Sequence, residues 1–389
     1  MHNFQYSAVD QGLFFHAKFQ LNNVQQYNFV YDCGTINSKI DLLGQEIEKY
    51  KKDNSNIDLL VISHFDFDHI SGIKKLLDQC STRTVALPYL AHDEILLYFL
   101  SNHTIPEEES WYYDFLRDPI SFFNQYNSIQ KITFIYSHDK DNEFKGNMWF
   151  KKVDLPYELS STIFKTSGQS LEISLLSDQE NYKINENLKF KFYNYPITQQ
   201  KRMTFDRNVL QYLNDNDIDG EINAINFILS SNERTSEFKS QYGFITKNHN
   251  NVSLLVSYEY NFSKSRNCSV CIQGTYDKKN SEVKSVEFLN QIIHILTGDI
   301  SINYKIKHKQ IFKHYEEELA QANFIQVPHH GSRYNWNEDL LDKVAKNTCF
   351  IISSGNRYRH PHQDVVDTIE NSHKLLKANS ENRVIGNLY

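Results

Sequence analysis

The stretch that decides the fold runs from Ser63 to Gly72 and reads Ser-His-Phe-Asp-Phe-Asp-His-Ile-Ser-Gly. It follows the apolar run 57–62, Ile-Asp-Leu-Leu-Val-Ile, which is typical of a buried strand. Imidazole and carboxylate together suit divalent metals, and alternate positions of an extended loop can face one ion while the last two face a second. The spacing therefore predicts a two-metal hydrolytic centre, with ligands from His64, Asp66, Asp68 and His69.

This run resembles the His-x-[His/Asp]-x-Asp-His signature of the metallo-β-lactamase superfamily, in the version whose middle ligand is aspartate. Four more blocks follow the order of that superfamily: Tyr31-Asp-Cys-Gly34, Leu296-Thr-Gly-Asp-Ile300, Val327-Pro-His-His-Gly-Ser332 and Asn356-Arg-Tyr-Arg-His-Pro-His362. The last two are similar to blocks in the metallo-β-lactamase domain of ComEC-type DNA-uptake proteins. The resemblance covers about 1–90 and 250–389, and it implies an α/β fold, an αββα sandwich with a large insertion.

The pattern of apolar residues agrees with an α/β protein. A helical pattern at about 38–51 precedes the strand at 57–62, and a second helix beginning at Ile73 is followed by the strand 84–87. A further helix is predicted over about 363–376. Strand, metal loop, helix and strand are what half of a two-sheet sandwich covered by helices needs.

A single domain is predicted over 1–389, with an insertion at about 92–247. Aromatic-rich helical stretches lie within the insertion, at 111–116 and 120–126. Its position after the first metal loop suits a lid, a substrate platform or a surface for a protein partner; a packed decoration that stabilises the fold is an equal alternative. Beyond it, the polar stretch 261–287 predicts a loop with irregular structure.

Composition narrows the function classes. The formal net charge of −7 argues against a surface that binds nucleic acid everywhere through counterion release, so any such contact must be local. No run approaches the ~18 uninterrupted apolar residues of a transmembrane helix, and the start lacks a basic and then apolar leader. Five cysteines, an odd number, fit a reducing compartment better than a disulfide framework. We therefore expect a cytoplasmic protein that does not contact a membrane.

The resemblance assigns ligands to two divalent ions. It implies that His64 and Asp66 hold the first ion, that Asp68 and His69 hold the second, and that Asp299 bridges both. A bridging ligand must be an acid, because only a carboxylate has two oxygens for two cations. Aspartate in place of a histidine makes the first site harder and more anionic, so zinc and manganese are both candidates.

Two ligand positions stay open at this stage. His330 matches the late histidine of the second ion, and its neighbour His329 is the alternative. His249, in His249-Asn-Asn-Val-Ser253, has the spacing of the remaining ligand to the first ion. ComEC-type proteins tend to have asparagine in this region, so an exposed loop histidine, with water in the ligand position, is the other interpretation.

The motifs also contain candidates for acting on a substrate. Two close cations can lower the pKa of a bridging water toward ~7, and Asp68 is a candidate base that orients this water in addition to its ligand role. His360 and His362 are candidates for the general acid, because Pro361 stiffens the turn between them; a structural pair is the alternative. A cationic rim suited to phosphate oxygens is predicted from Ser332, Arg333, Asn356, Arg357 and Arg359.

This rim favours a phosphodiester over a neutral β-lactam or thioester, unless the arginines only pair with acids. Arg359 departs from ComEC-type sequences, which often have glycine there, so the local turn or the substrate contact differs. The sequence thus predicts a dinuclear metal-dependent phosphodiesterase, a nuclease acting on DNA or RNA. The alternatives are a small-molecule ester or phosphoester hydrolase of the same fold and a non-catalytic metal-binding sensor or interaction subunit.

Overall fold

The structure is a computed structural model. Apart from isolated positions, it describes residues 2–36, 41–90, 110–137, 161–166, 169–195, 253–262, 266–274, 280–288, 291–303, 305–355 and 359–388.

The described strands form two sheets. The first sheet has the strand order β13-β12-β18-β1-β2-β3-β4-β5-β6-β8-β7. Its strands are β1 (His2–Tyr6), β2 (Phe15–Gln20), β3 (Gln26–Tyr31), β4 (Asn56–Val61), β5 (Ser81–Pro88), β6 (Lys131–Tyr136), β7 (Ser161–Thr166), β8 (Gln169–Ser177), β12 (Arg266–Gly274), β13 (Asn280–Phe288) and β18 (Asn382–Leu388). The second sheet has the order β17-β16-β15-β14-β11-β10-β9. Its strands are β9 (Asn181–Lys183), β10 (Leu188–Tyr193), β11 (Leu255–Asn261), β14 (Gln291–Leu296), β15 (Phe324–Gln326), β16 (Cys349–Ser353) and β17 (Lys374–Ala378).

Helices lie on the outer face of each sheet. They are α1 (Leu42–Asp53), α2 (Phe67–Ile70), α3 (Ile73–Gln79), α4 (Trp111–Arg117), α5 (Pro119–Asn124), α6 (Lys305–His314), α7 (Glu316–Gln321) and α8 (Gln363–Glu370), with short 3₁₀ segments at Pro328–Gly331 and Glu338–Lys343. In α1, Asp41 caps the first turn by accepting the Gly44 N–H at 2.8 Å, and apolar residues at helical spacing are buried. No described helix is long and apolar enough to cross a membrane.

Three apolar clusters explain why these layers associate. The cluster between the sheets joins residues such as Phe4 and Phe15 of the first sheet to Tyr258 and Phe324 of the second. A second cluster packs α1, α3, α4 and α5 on the outer face of the first sheet, and a third packs α6, α7 and α8 on the outer face of the second. Burying both faces of each sheet gives the four layers of an αββα sandwich.

The order and direction of the strands create one edge where several loops meet. Strands β3 and β4 are parallel neighbours in the first sheet, and β14, β15 and β16 are parallel neighbours in the second. The loops that leave the carboxyl ends of these strands carry Asp32, the 63–72 run, Asp299, the 328–332 turn and the segment after Ser353. All five chemical motifs are thereby brought to the same side of the sandwich.

Two local predictions were wrong. Residues 261–287, expected to be a loop, contain most of β12 and β13, a hairpin whose first strand pairs with β18. The polar sequence hides these strands because the partner that stabilises them lies more than 100 residues further along the chain. The helix predicted to 376 ends at Glu370, and Lys374–Ala378 form β17 beside β16.

The interval 92–247, predicted as an insertion, supplies strands to both sheets in its described part. Strand β6 pairs with β5 and extends the first sheet, while β10 pairs with β11 in the second. The aromatic stretches predicted as helical are α4 and α5, which pack on the outer face of the first sheet. These elements are therefore part of the sandwich and not a separate body.

Candidate metal centre

Four side chains from both sheets converge at the shared edge. One ligand atom from each of Asp68, His69, Asp299 and His330 lies within 4.8 Å of those of the other three. His69 Nε2 is 3.1 Å from Asp299 Oδ1, and His330 Nε2 is 3.7 Å from the same oxygen and 3.5 Å from Asp68 Oδ2. The four residues are those that the resemblance implied for the second ion and the bridge.

His64 and Asp66 adjoin this group. The His64 ring centroid is 4.1 Å from that of His69, and His64 Nε2 is 3.5 Å from Asp66 Oδ2. Both residues are buried at the end of β4, and Asp66 directly precedes α2. The structure thus places the pair predicted for the first ion beside the cluster predicted for the second.

The two adjacent histidines of the 328–332 turn differ in burial and in their contact with Asp68. His329 and His330 both adopt positive φ, 46° and 55°, and the following Gly331 has φ 82°. Both Nε2 atoms lie at a similar distance from an Asp299 oxygen, 3.8 and 3.7 Å, but His330 is buried with its Nε2 3.5 Å from Asp68 Oδ2, whereas His329 is half-buried. A side chain at Gly331 would place its Cβ 2.6 Å from Pro361 Cβ, so the turn requires glycine.

Asp32 is the residue whose role the sequence did not reveal. Its buried carboxylate accepts the Ser63 hydroxyl at 2.6 Å, the Ser63 N–H at 2.7 Å and His69 Nδ1 at 2.7 Å. Because the Ser63 hydroxyl donates to Asp32, its oxygen accepts from His64 Nδ1 at 2.8 Å. One carboxylate therefore orients two histidines, and the available signal was an acid directly after the buried strand β3.

The same logic applies to the third histidine. His330 Nδ1 lies 2.7 Å from the Ser353 carbonyl oxygen, which can only accept a hydrogen bond. With Nδ1 of His64, His69 and His330 each donating to an oxygen, the Nε2 atoms face the carboxylates and are the atoms that carry the lone pair when these rings are neutral. This outer layer of hydrogen bonds is the arrangement that fixes ligand tautomers in metal sites.

The pKa shifts of the clustered histidines and aspartate also indicate a site that favours positive charge. Burial alone would lower the pKa of His69, but the carboxylates of Asp299 and Asp32 outweigh it and raise that pKa well above its usual range. Burial likewise opposes the raised pKa of His330, and Asp299 is again the largest favourable cause. Burial would raise the pKa of Asp299, yet His329 and His69 hold it well below its usual range. The pocket is an anionic site in which positive charge is stabilised.

The predicted acid candidates form a row of rings that leads outward. The His329 and His360 ring centroids are 5.5 Å apart, and those of His360 and His362 are 5.0 Å apart. Burial and the neighbouring His329 lower the pKa of His360 to about 4. His362 is partly exposed, and its Nδ1 accepts the Arg333 N–H at 3.3 Å, which leaves the proton on Nε2.

The predicted substrate rim is assembled only in part. Ser332 is 2 % exposed and lies beneath the surface, so it offers almost no area to a substrate. The Arg333 guanidinium is 3.2 Å from Asp364, and Arg359 is exposed with φ 60°. His249, Asn356 and Arg357 lie outside the described residues.

Comparison with known proteins agrees with the fold and with the first metal loop. Residues 24–108 match the family model described as the metallo-beta-lactamase superfamily, a segment that includes Asp32 and the whole 63–72 run. The chain has a metallo-β-lactamase fold. A curated relative, ComE operon protein 3 of Bacillus subtilis (strain 168), is 30% identical over 93 residues, which are 23% of this chain and 11% of that protein.

Solved structures with the metallo-β-lactamase fold also align with the chain. The metallo-beta-lactamase fold protein YhfI from Bacillus subtilis has a TM-score of 0.37 at 9% identity, covering 98% of this chain and 99% of that one. Zn(2+)-bound PqqB from Methylobacterium extorquens has a TM-score of 0.38 at 8% identity, covering 97% and 98%. A long form RNase Z from yeast has a TM-score of 0.36 at 10% identity, covering 98% of this chain and 41% of that chain.

Proposed function

We propose that the chain is a dinuclear metal-dependent phosphodiesterase, a nuclease that acts on DNA or RNA. The observation that carries the proposal is the set of three buried imidazoles, His64, His69 and His330, whose Nδ1 atoms are all engaged and whose Nε2 atoms face carboxylates. Packing alone does not require three such rings to converge on acids.

The donor set fits divalent ions. His64 Nε2 and His330 Nε2 are buried without a hydrogen-bond partner in the described part of the chain, each 3.5 Å from a carboxylate oxygen. Mixed imidazole and carboxylate donors suit zinc and manganese. In our proposal His64 and Asp66 hold one ion, and Asp68, His69 and His330 hold the other, with Asp299 between them. His249 stays a proposed further ligand to the first ion.

When bound, two such ions supply Lewis-acid charge for an attacking water and for the leaving oxygen. The surrounding residues orient the ligands and the water and donate the proton. Asp32 and Ser63 hold the imidazoles in one tautomer and orientation, while Asp68 orients the water. Of the two predicted acids, we assign proton donation to His362, because its ring is partly exposed and holds a proton on Nε2, whereas His360 is buried.

The class of substrate is inferred from the residues of the predicted rim. Arg359 is exposed and directly precedes His360 in the chain, His362 is partly exposed in the row of rings that leads to the centre, and arginine binds phosphate oxygens in two-point contacts. The likeness to a stretch of ComE operon protein 3 and the ComEC-type motifs support nucleic acid as the phosphodiester.

The test is hydrolysis of bis(p-nitrophenyl) phosphate with manganese or zinc, for wild type and Asp299→Asn. Asp78→Asn is the matched control, since Asp78 is an exposed partner of Lys74 far from the motifs. Activity that disappears only in Asp299→Asn supports the proposal. Inactive wild type that still binds metal contradicts it and leaves the small-ester hydrolase and the non-catalytic sensor.

A small-molecule ester or phosphoester hydrolase is the second candidate. The pairing of Arg333 with Asp364 favours it, because it occupies one of the cations expected to bind a polyanion. Turnover of small esters by a wild type that leaves DNA and RNA intact would select this candidate.

A further inference from the structure

Tyr334 is conspicuous on the surface beside the metal centre. It is 72% exposed, and the other large apolar side chain that is exposed among the described residues is Val24, at 91%. Val24 lies in the turn before β3, whereas Asp32 follows the opposite end of that strand, so Val24 is remote from the motifs. Only one of these two exposed side chains is therefore placed to meet a substrate.

The backbone around Tyr334 is held in place although the ring is exposed. Its carbonyl oxygen lies 3.4 Å from Ser301 Oγ and from Asn303 Nδ2, both of which donate to it. The next residue, Asn335, exchanges further bonds: its Nδ2 donates to the Asp299 carbonyl at 3.1 Å, and its own carbonyl accepts the Ile302 N–H at 2.9 Å. The backbone that carries the exposed ring is thus fixed relative to the proposed bridging residue.

The ring also ends the row that starts at the centre. Tyr334 lies edge to face with His362, with centroids 5.8 Å apart and planes at 85°, and His362 continues to His360 and His329. A substrate that has its reacting group at Asp299 and leaves the site along this row would pass His362 and reach the Tyr334 ring.

We propose that Tyr334 is a stacking platform for a base of single-stranded nucleic acid, next to the phosphodiester held at the metal centre. The inference rests on the proposed nuclease function. With a net charge of −7, the protein has little general attraction for a polyanion, so local contacts must supply binding. Stacking on an aromatic ring does so without regard to base identity.

The same contact predicts a preference for single-stranded over duplex nucleic acid. In a duplex the bases are already stacked on one another and their faces are closed, whereas an unpaired base presents a face to Tyr334. DNA and RNA present the same faces, so the platform serves both, and a preference between them would come from the 2′-hydroxyl group.

The experiment measures binding and cleavage separately. Fluorescence anisotropy gives the Kd of labelled single-stranded DNA and RNA oligonucleotides, and of an abasic oligonucleotide of equal length, for wild type, Tyr334→Ala, Tyr334→Phe and Val24→Ala. Wild type is expected to bind the natural strands roughly tenfold more tightly than the abasic one. Tyr334→Ala should lose this ratio, while Tyr334→Phe, which keeps the ring, and Val24→Ala should retain it.

Each outcome decides one claim. A natural-to-abasic ratio that survives in Tyr334→Ala overturns the platform and leaves the ring to another role, such as a protein contact. A ratio that depends on Tyr334 in a wild type that cleaves no strand supports the platform and overturns the nuclease proposal. Equal Tyr334 dependence for duplex and single strands contradicts the assignment to unpaired bases.

Discussion

The two sheets contribute to the metal centre by different physical means. On the first sheet, the side-chain hydrogen bonds of Asp32 and Ser63 orient His64 and His69. On the second, His330 is aimed by a left-handed backbone turn that ends in Gly331. One half of the site depends on a buried carboxylate and the other on backbone geometry, so the two halves should fail in different ways when changed.

The largest effect is expected from Asp32→Ala. The change leaves the buried donors of Ser63 and His69 without their acceptor, which should lower the unfolding free energy by about 3–5 kcal/mol. Because both rings lose their orientation, metal affinity should fall roughly 10- to 100-fold. Denaturant unfolding and competitive metal titration measure the two quantities.

Asp58→Asn is the control for Asp32. Asp58 lies on the same sheet and accepts the Asn28 N–H at 2.7 Å, but it is not among the residues that form the metal centre or orient its histidines. It should affect stability without changing metal affinity. An Asp32→Ala protein that binds metal as wild type does would refute the role of Asp32.

Gly331→Ala should affect the second half of the site. An added Cβ meets Pro361 at 2.6 Å, and φ is 82°, so strain of about 1–3 kcal/mol is expected, with weaker metal binding through His330. Thermal unfolding and the same titration provide the readouts. Gly44→Ala would disturb the Asp41 cap of α1 and lower stability as well, but it should leave metal binding unchanged. Equal effects of the two substitutions on metal binding would show that the turn has no particular role in the site.

Low pH should weaken the packing between the two sheets. Tyr6 of the first sheet lies 2.7 Å from His294 Nε2 of the second. Burial lowers the pKa of His294 well below its usual range, and it lowers that of His2, which also contacts Tyr258 of the second sheet, to about 4. These rings are neutral in the fold, whereas in the unfolded chain they gain a proton near pH 6.5.

The unfolding free energy decreases as pH falls, because the unfolded chain takes up protons that the folded protein does not. Stability from these groups is complete above pH 6.5 and is lost as pH falls toward 4, at about 1.4 kcal/mol per pH unit for each histidine. Denaturant unfolding at pH 7, 6, 5 and 4 measures the slope. His2→Gln should reduce the slope by one proton; an unchanged slope would show that His2 does not contribute to it.

The smallest effect is expected from Asp364→Asn, at the predicted substrate rim. Asp364→Asn should release Arg333 and lower KM for a phosphodiester roughly two- to fivefold, since exposed ion pairs are weak. Asp367→Asn, on the same helix and bonded to Gln363, is the control and should leave KM as it is. A KM that rises in Asp364→Asn would mean that Arg333 works only when held by this acid.

Sequence was enough for features that depend on local pattern. The 63–72 run gave a strand end, a loop and four ligand candidates, and all four lie at the shared edge with Asp299 and His330. The preference for His330 over His329 came from the resemblance, and the structure distinguishes them by the burial of His330 and its approach to Asp68, which two adjacent residues of one type do not reveal.

Features that depend on tertiary neighbours were beyond sequence reasoning. Asp32 acts because β3 and β4 are parallel neighbours, so that their following loops touch. The β12 and β13 hairpin depends on β18, and Arg333 meets Asp364 across a turn. Tyr334 was not singled out, since its exposure is known only once its neighbours are folded.

Metal stoichiometry tests the central claim most directly. Wild type, His64→Ala and His330→Ala are loaded with zinc or manganese, desalted and analysed for metal per chain. Two ions held by different histidines predict about two equivalents in wild type and about one in each variant. About one equivalent in wild type, or the same content in all three proteins, would contradict a centre built from both sheets.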